Sequence, residues 1–180
     1  MMETSDQTLA RAAAAGDREA FAALVERHYD RILGLAWRLT GSRAEAQDLT
    51  QDICAALAAK LVSWRGQARF TTWLYRVTVN AAHDRRRRQA SHSRAANGWG
   101  DWEISRQQAM DEARCAQDWL TQAMTRLSPE LRDTVALVLG EDMLQAEAGA
   151  VLGVSEGTVA WRMSEVKRRL RAMATAEAEP

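Results

Sequence analysis

Apolar side chains recur at three- and four-residue steps through most of this chain, a spacing that suits helices and little else. Phe21, Leu24, Val25, His28, Ile32, Leu35 and Leu39 share one face of a helix expected to begin near Asp17 and to end before Gly41. Ser42 and Glu45 form the pattern of a capping box, and Leu49, Ile53, Leu57 and Leu61 are the stripe of the helix it opens. Gly66 interrupts. A third long helix resumes near Phe70, carries Trp73, Leu74, Val77 and Ala81, and runs into Arg85, Arg86, Arg87 and Arg88. A short helix around Leu9, between Asp6 and Ala15, completes a bundle. Only 2 prolines and 10 glycines stand among 180 residues, which agrees with an all-α chain.

Residues 89–102, QASHSRAANGWGDW, lose the periodicity and collect Ser, Asn and Gly, as a linker between two small helical domains would. Helical spacing returns near Ile104 and continues through Trp119, Leu120, Ala123 and Leu127. Ser128 and Pro129 then start a helix expected to turn Leu131, Val135, Val138 and Leu139 inward. Leu144–Leu152, a turn at Gly153 and Val154, and a longer helix capped by Ser155 make a helix-turn-helix, with Val159, Met163, Val166 and Leu170 on its core face. The expected division is a first domain over residues 5–90, a flexible linker over 91–112 and a second domain over 113–175.

Charge is distributed unevenly. The formal sum is zero, from 24 basic and 24 acidic residues, yet residues 61–94 hold eight arginines against Asp84 alone, and 161–171 hold five basic residues against Glu165. Local field, not total charge, governs phosphate binding, so two separated basic patches read as two contacts for a polyanion. The aromatic and arginine mixture of FTTWLYRVTVNAAHDRRRR, with Trp64, Arg65, Gln67 and Arg69 just before it, has the parts of a single-strand surface: rings to stack on bases, Asn for a base edge, arginines for phosphate. The outward face of the last helix offers Ser155, Glu156, Thr158, Trp161, Arg162, Glu165 and Arg169 to a major groove.

Other chemistries find no support. Cys54 and Cys115 lack metal-site or disulfide-framework spacing, and the three histidines at 28, 83 and 92 are too scattered for a metal site. His28 falls on the apolar face, as a core or edge histidine does. No phosphate-binding glycine loop, metalloprotease motif or nucleophile elbow occurs, so the expectation is a protein that is not an enzyme and has no cofactor and no metal. No apolar run is long enough to insert in a membrane, and the start of the chain lacks a signal-peptide pattern, which predicts a cytoplasmic protein.

With these strings together, AFAALVERHYDRILGLAWRLTG, AEAQDLTQDI, FTTWLYRVTVNAAHDRRRR, LSPELRDTVALVL and LGVSEGTVAWRMSEVKRRLR, the chain resembles the extracytoplasmic-function (ECF) sigma factors of the sigma-70 superfamily from about Asp17 to Arg171. The resemblance implies an alternative initiation factor that binds RNA polymerase core, recognises promoter elements near minus ten and minus thirty-five, and helps melt DNA. It places core docking on Asp48, Gln51 and Asp52, against the beta-prime coiled coil. It assigns the minus-ten element to Trp64, Arg65, Arg69, Trp73, Arg76, Asn80, His83, Asp84, Arg85 and Arg86, with Trp73 as support. The helix from Ser155 to Arg171 takes the minus-thirty-five element, while earlier helices of that domain meet the beta flap. An anti-sigma factor is the implied inhibitor.

The recognition helix departs from the family pattern. Ala160 stands where a basic residue is usual, Trp161 where a small polar one is, and Glu165 where arginine is common. Trp161 suits either thymine methyls or a partner protein. Ala148 and Gly149 replace the usual Ile and Ala, and a helical glycine costs about 1 kcal/mol relative to alanine and leaves space, which predicts a marginal second domain. Two rivals remain: an adaptor or mimic that titrates an anti-sigma factor without promoter binding, and a dimeric helix-turn-helix repressor. The retained aromatic and arginine segment counts against the first, and the single recognition helix against the second.

Overall fold

Short polar side chains start the helices where the spacing places them. Ser5 Oγ accepts the Thr8 N–H at 3.2 Å, Asp17 Oδ1 accepts those of Glu19 and Ala20 at 2.9 and 3.0 Å, and Ser155 Oγ accepts that of Thr158 at 3.2 Å. Each satisfies a first-turn donor that the helix itself leaves unpaired, a contribution of about 1 kcal/mol. Ser42 Oγ accepts from Glu45 N–H at 3.4 Å, but the other half of the expected capping box is not made by Glu45: the Ser42 N–H donates to Thr40 Oγ1, also at 3.4 Å.

The computed structural model describes residues 4–95, 123, 124 and 126–178. Among these are seven helices and no strand: α1 (Asp6–Ala14), α2 (Arg18–Thr40), α3 (Arg43–Leu61), α4 (Phe70–Ala95), α5 (Pro129–Val138), α6 (Gln145–Leu152) and α7 (Glu156–Ala178). None of them is long and apolar enough to cross a membrane.

The first four helices enclose Leu24, Ile32, Leu35 and Leu39 of α2 with Leu49, Ile53, Leu57 and Leu61 of α3 and Phe70, Leu74 and Val79 of α4, all at most 2% exposed. Removing such side chains from water contributes about 1.5–3 kcal/mol each. His28 lies on the same face, and its Nε2 meets Asp6 Oδ2 at 2.9 Å while its ring sits 5.2 Å from Phe70. Burial pulls its pKa below the ordinary histidine value against the opposing pull of Asp6. With Arg27 also on Asp6, at 2.6 Å, this contact fastens α1 to α2.

In the second unit α5 is the central element. It packs against α2 on one side and α7 on the other, so Leu131, Asp133, Thr134, Val135, Ala136 and Leu137 are all buried. A single inward stripe was the wrong expectation for a helix sandwiched in this way. Leu139, expected inward, lies just past the helix and is 63% exposed. Val159, Met163 and Val166 of α7 and Ala148 and Val151 of α6 complete the packing, and the buried side chains of both units form one continuous cluster.

Two further expectations change. The loss of periodicity after residue 88 does not end α4, which continues to Ala95; Gln89, Ala90 and Ser91 are exposed, and Arg87 pairs with Asp84 at 2.9 Å. The rest of the expected linker, and the pattern from Ile104 to Leu120, lie outside the described residues. Gly149 does not open space. A Cβ there would stand 2.8 Å from the Val154 carbonyl, and the Val154 N–H donates to the Gly149 carbonyl at 3.0 Å, so the bare backbone lets the helix-turn-helix turn close onto α6.

Candidate nucleic-acid interface

Helix α4 turns its named residues in different directions. Phe70 at its start is 1% exposed and is flanked by Trp64, edge-on at 6.0 Å, and Trp73, tilted at 5.8 Å. Both tryptophans are half-buried and lean on the core. Arg65, Arg69 and Asn80 are exposed around them, so the start of α4 and its preceding loop carry an open patch of donors beside two indoles.

The remaining members of the set are spoken for inside the protein. His83 Nε2 lies 2.6 Å from Asp133 Oδ2 and Arg86 Nη2 lies 3.0 Å from the same oxygen, while Arg76 Nη2 donates to the Ala150 carbonyl at 2.5 Å. Arg85 faces α3, 3.2 Å from Asp48 and 3.7 Å from Asp52, and Asp84 pairs with Arg87. Arg85 therefore belongs spatially with the acidic α3 face, where Asp48, Gln51 and Asp52 are all exposed. That face can offer carboxylates and an amide to a basic protein surface while Arg85 balances part of its charge.

On α7, Ser155 and Glu156 are exposed, Thr158 is half-buried with its hydroxyl 2.9 Å from that of Ser155, and Arg162 is half-buried. Trp161 is 65% exposed, opposite the Val159, Met163 and Val166 face, an amphipathic side chain left largely to solvent. Glu165 accepts from Arg168 Nε and Nη2 at 2.8 and 2.6 Å and from Arg169 Nε at 2.7 Å. These two guanidinium groups hold its carboxyl at about 2, so it is ionised at any pH where DNA is handled. The basic end of the recognition helix is thereby partly neutralised from within.

Sequence reasoning did not single out Arg38, Asp133 or Glu141. Glu141 accepts from Tyr75 Oη at 2.6 Å and from Arg38, and burial, reinforced by this carboxylate, pushes the Tyr75 hydroxyl far above its ordinary value. A signal existed at Asp133, a carboxylate just before the apolar Val135–Val138 run, whose burial demands a partner. Among the described residues no three His, Cys, Asp or Glu side chains gather as a metal site would require.

A bundle with an acidic outer face, a cationic helix with aromatics at its start, and a helix-turn-helix define a two-part nucleic-acid-binding protein that also docks on protein. The family comparisons match each part: Sigma-70 region 2 over residues 24–92 and Sigma-70, region 4 over 123–172. The chain is 36% identical over 169 residues to the ECF RNA polymerase sigma factor SigM of Mycobacterium tuberculosis, covering 93% of this chain and 84% of that one. It is 29% identical to the RNA polymerase sigma factor CnrH of Cupriavidus metallidurans over 98% of both. The structure of CnrH in complex with the cytosolic domain of CnrY superposes with a TM-score of 0.72 at 27% identity, covering 96% of this chain and 99% of that one. The fold of the sigma factor RpoE from Bartonella quintana, solved with the anti-sigma factor NepR, matches with a TM-score of 0.72 at 21% identity over 87% of this chain and 98% of that one. The chain belongs to the ECF sigma factors of the sigma-70 family. It is an alternative sigma factor, of the class of initiation factor that directs RNA polymerase to promoters.

Proposed function

We propose that this chain works in the cytoplasm as a non-catalytic specificity subunit and that its duties are divided by surface. The α3 face of Asp48, Gln51 and Asp52 docks on polymerase core; the patch of Arg65, Arg69 and Asn80 with Trp64 and Trp73 holds the minus-ten strand; α7 reads the upstream element through Thr158, Trp161, Arg162 and Arg169. Asp84 and Arg85 border the first DNA surface, Arg76, His83 and Arg86 extend it once they exchange Ala150 and Asp133 for DNA, and Ser155, Glu156 and Glu165 border the second. The observation that carries this reading is that one bundle carries an exposed acidic face on α3 and, at the start of α4, exposed Arg65, Arg69 and Asn80 beside two half-buried tryptophans. Protein and single-stranded DNA ask for opposite charges, and the bundle supplies both.

An anti-sigma partner fits the same surfaces, since a protein covering the α3 face and the exposed Leu139 and Leu144 would block polymerase. The adaptor alternative leaves the arginines of α4 without a task. The test is a set of full-chain variants in a reconstituted transcription assay. Asp48→Lys with Asp52→Lys should abolish binding to core; Arg76→Ala with Asn80→Ala should leave core binding intact and lose open complexes; Arg162→Ala should weaken only promoters carrying an upstream element. Retained core binding in the first variant, or unchanged melting in the second, would refute the division.

A further inference from the structure

Helix α1 stands beside the loop that joins α3 to α4. Gly66 takes the left-handed conformation in that loop, at φ 68°, and the Arg11 guanidinium of α1 lies over it, with Nη2 3.7 Å from the place a Cβ would occupy. One turn back along the same face of α1, Gln7 stands with Ser5, Asp6, Arg69, Phe70 and Thr71 around a hollow of about 250 Å³. Gln7 and Arg11 are exposed, as Arg65 and Arg69 are, so α1 continues the patch of donors at the start of α4.

These charges are not paired inside the protein. Among the described residues Arg11, Arg65 and Arg69 meet no acceptor, whereas Arg85, Arg86 and Arg87 hold Asp48, Asp133 and Asp84. The hollow has one carboxylate in its lining, Asp6, and that is taken by Arg27 Nη1 at 2.6 Å and by His28 Nε2 at 2.9 Å. No Asp or Glu occurs between Asp52 and Asp84, so the loop and the first half of α4 add no negative charge. Three like charges on one loop and the helix beside it repel one another, and a polyanion laid across them removes that repulsion and releases counterions.

We propose that α1 is a wall of the strand-binding surface and that Arg11 holds a phosphate of the single-stranded DNA passing the loop. This rests on the reading of Arg65, Arg69 and Asn80 as the minus-ten surface. Helix α1, DQTLARAAA, has no aromatic ring to stack on a base, so it offers charge to the sugar-phosphate backbone and nothing that distinguishes one base from another. Its part is affinity and the path of the strand, while the choice of sequence stays with the loop and α4. Arginine suits this task, because its planar fork of donors matches phosphate oxygens and its charge persists at any working pH.

The test uses holoenzyme reconstituted from polymerase core and the full chain, with a fluorescent fork DNA whose single strand carries a mapped minus-ten sequence, titrated at several potassium chloride concentrations. Losing one phosphate contact on a single strand lowers the slope of log affinity against log salt by about 0.7, which is about fivefold weaker binding at about 0.1 M salt. Arg11→Gln should show both effects, equally on the minus-ten strand and on a scrambled one, and Arg11→Lys should restore the slope. Arg43→Gln, at the other end of α3 and roughly 27 Å along that helix from the loop, should leave the slope unchanged. An unchanged slope in Arg11→Gln overturns the proposal. So does a weakening that Arg11→Lys fails to rescue, since a shift of the loop, unlike a lost charge contact, is indifferent to the charge that returns. The two levels separate in the unaltered holoenzyme. A preference for the minus-ten strand over the scrambled one, together with an unchanged slope in Arg11→Gln, defeats only the role of α1, whereas no preference defeats the reading of the minus-ten surface and the role of α1 with it.

Discussion

Replacing Gly149 and Gly157 by alanine should move stability in opposite directions. Both are helical glycines, and propensity alone favours alanine by up to about 1 kcal/mol at each. At Gly157, in the first turn of α7, an added Cβ meets only Ser155 Oγ, at 3.9 Å, so Gly157→Ala should stabilise by up to that amount. At Gly149 the same methyl would stand 2.8 Å from the Val154 carbonyl and 3.5 Å from the Glu156 nitrogen. Backbone must retreat by about half an ångström, loosening the hydrogen bond from Val154 to Gly149 that closes the turn. Overpacking of this kind costs about 1–3 kcal/mol, which outweighs the propensity gain and leaves Gly149→Ala destabilised by about 0–2 kcal/mol. Thermal unfolding followed by circular dichroism reads the difference, since 1 kcal/mol shifts the midpoint of a chain this long by about 2–4 °C. A rise in midpoint for Gly149→Ala equal to that of Gly157→Ala would refute the close-approach explanation.

Three other expectations follow from single sites. Phe70→Ala removes the ring at the junction of His28, Trp64 and Trp73 and should cost about 3–5 kcal/mol in urea unfolding; a loss under about 1 kcal/mol contradicts its central role. His28 is held neutral by burial, its folded pKa lying below the ordinary 6.5, so the unfolded chain takes up the proton first. Its contribution is therefore complete above pH 6.5 and is lost as pH falls from there through the folded value; His28→Gln should flatten the thermal midpoint between pH 7 and 5 relative to the unaltered chain, and parallel profiles would contradict this. Glu165→Gln should release Arg168 and Arg169 for phosphate, tightening duplex binding and steepening its salt dependence by about one to two contacts at roughly 0.9 each; an unchanged slope would show that neither arginine reaches DNA.

Much of the fold was legible because helix starts and core stripes are local. Asp17, Ser42 and Ser155 cap where they stand in sequence, and the stripes of α2, α3 and α7 bury as their spacing requires. Local reasoning failed where a second element decided. Asp133 and Leu137 are buried because α2 packs on a side of α5 that periodicity leaves to solvent, with His83 and Arg86 of α4 reaching Asp133, and Leu139 is exposed because the helix ends before it. Gly149 looked like a weakness until the turn that passes over it was in place. Among the site residues, exposure of Asp48, Gln51, Asp52, Asn80 and Trp161 followed from the helical stripe, since each lies off the apolar face. The grouping of Arg85 with Asp48, and of His83 and Arg86 with Asp133, joins residues 37, 50 and 47 positions apart, and no spacing rule reaches that far.

Transcription in vitro by purified core polymerase with this chain, on pooled genomic promoter fragments and against core alone, addresses the central claim most directly. The account predicts discrete start sites only when the chain is present, lost on Asp48→Lys with Asp52→Lys, and sharing one minus-ten and one minus-thirty-five sequence when aligned. Stable binding to core without a start on any fragment would contradict it.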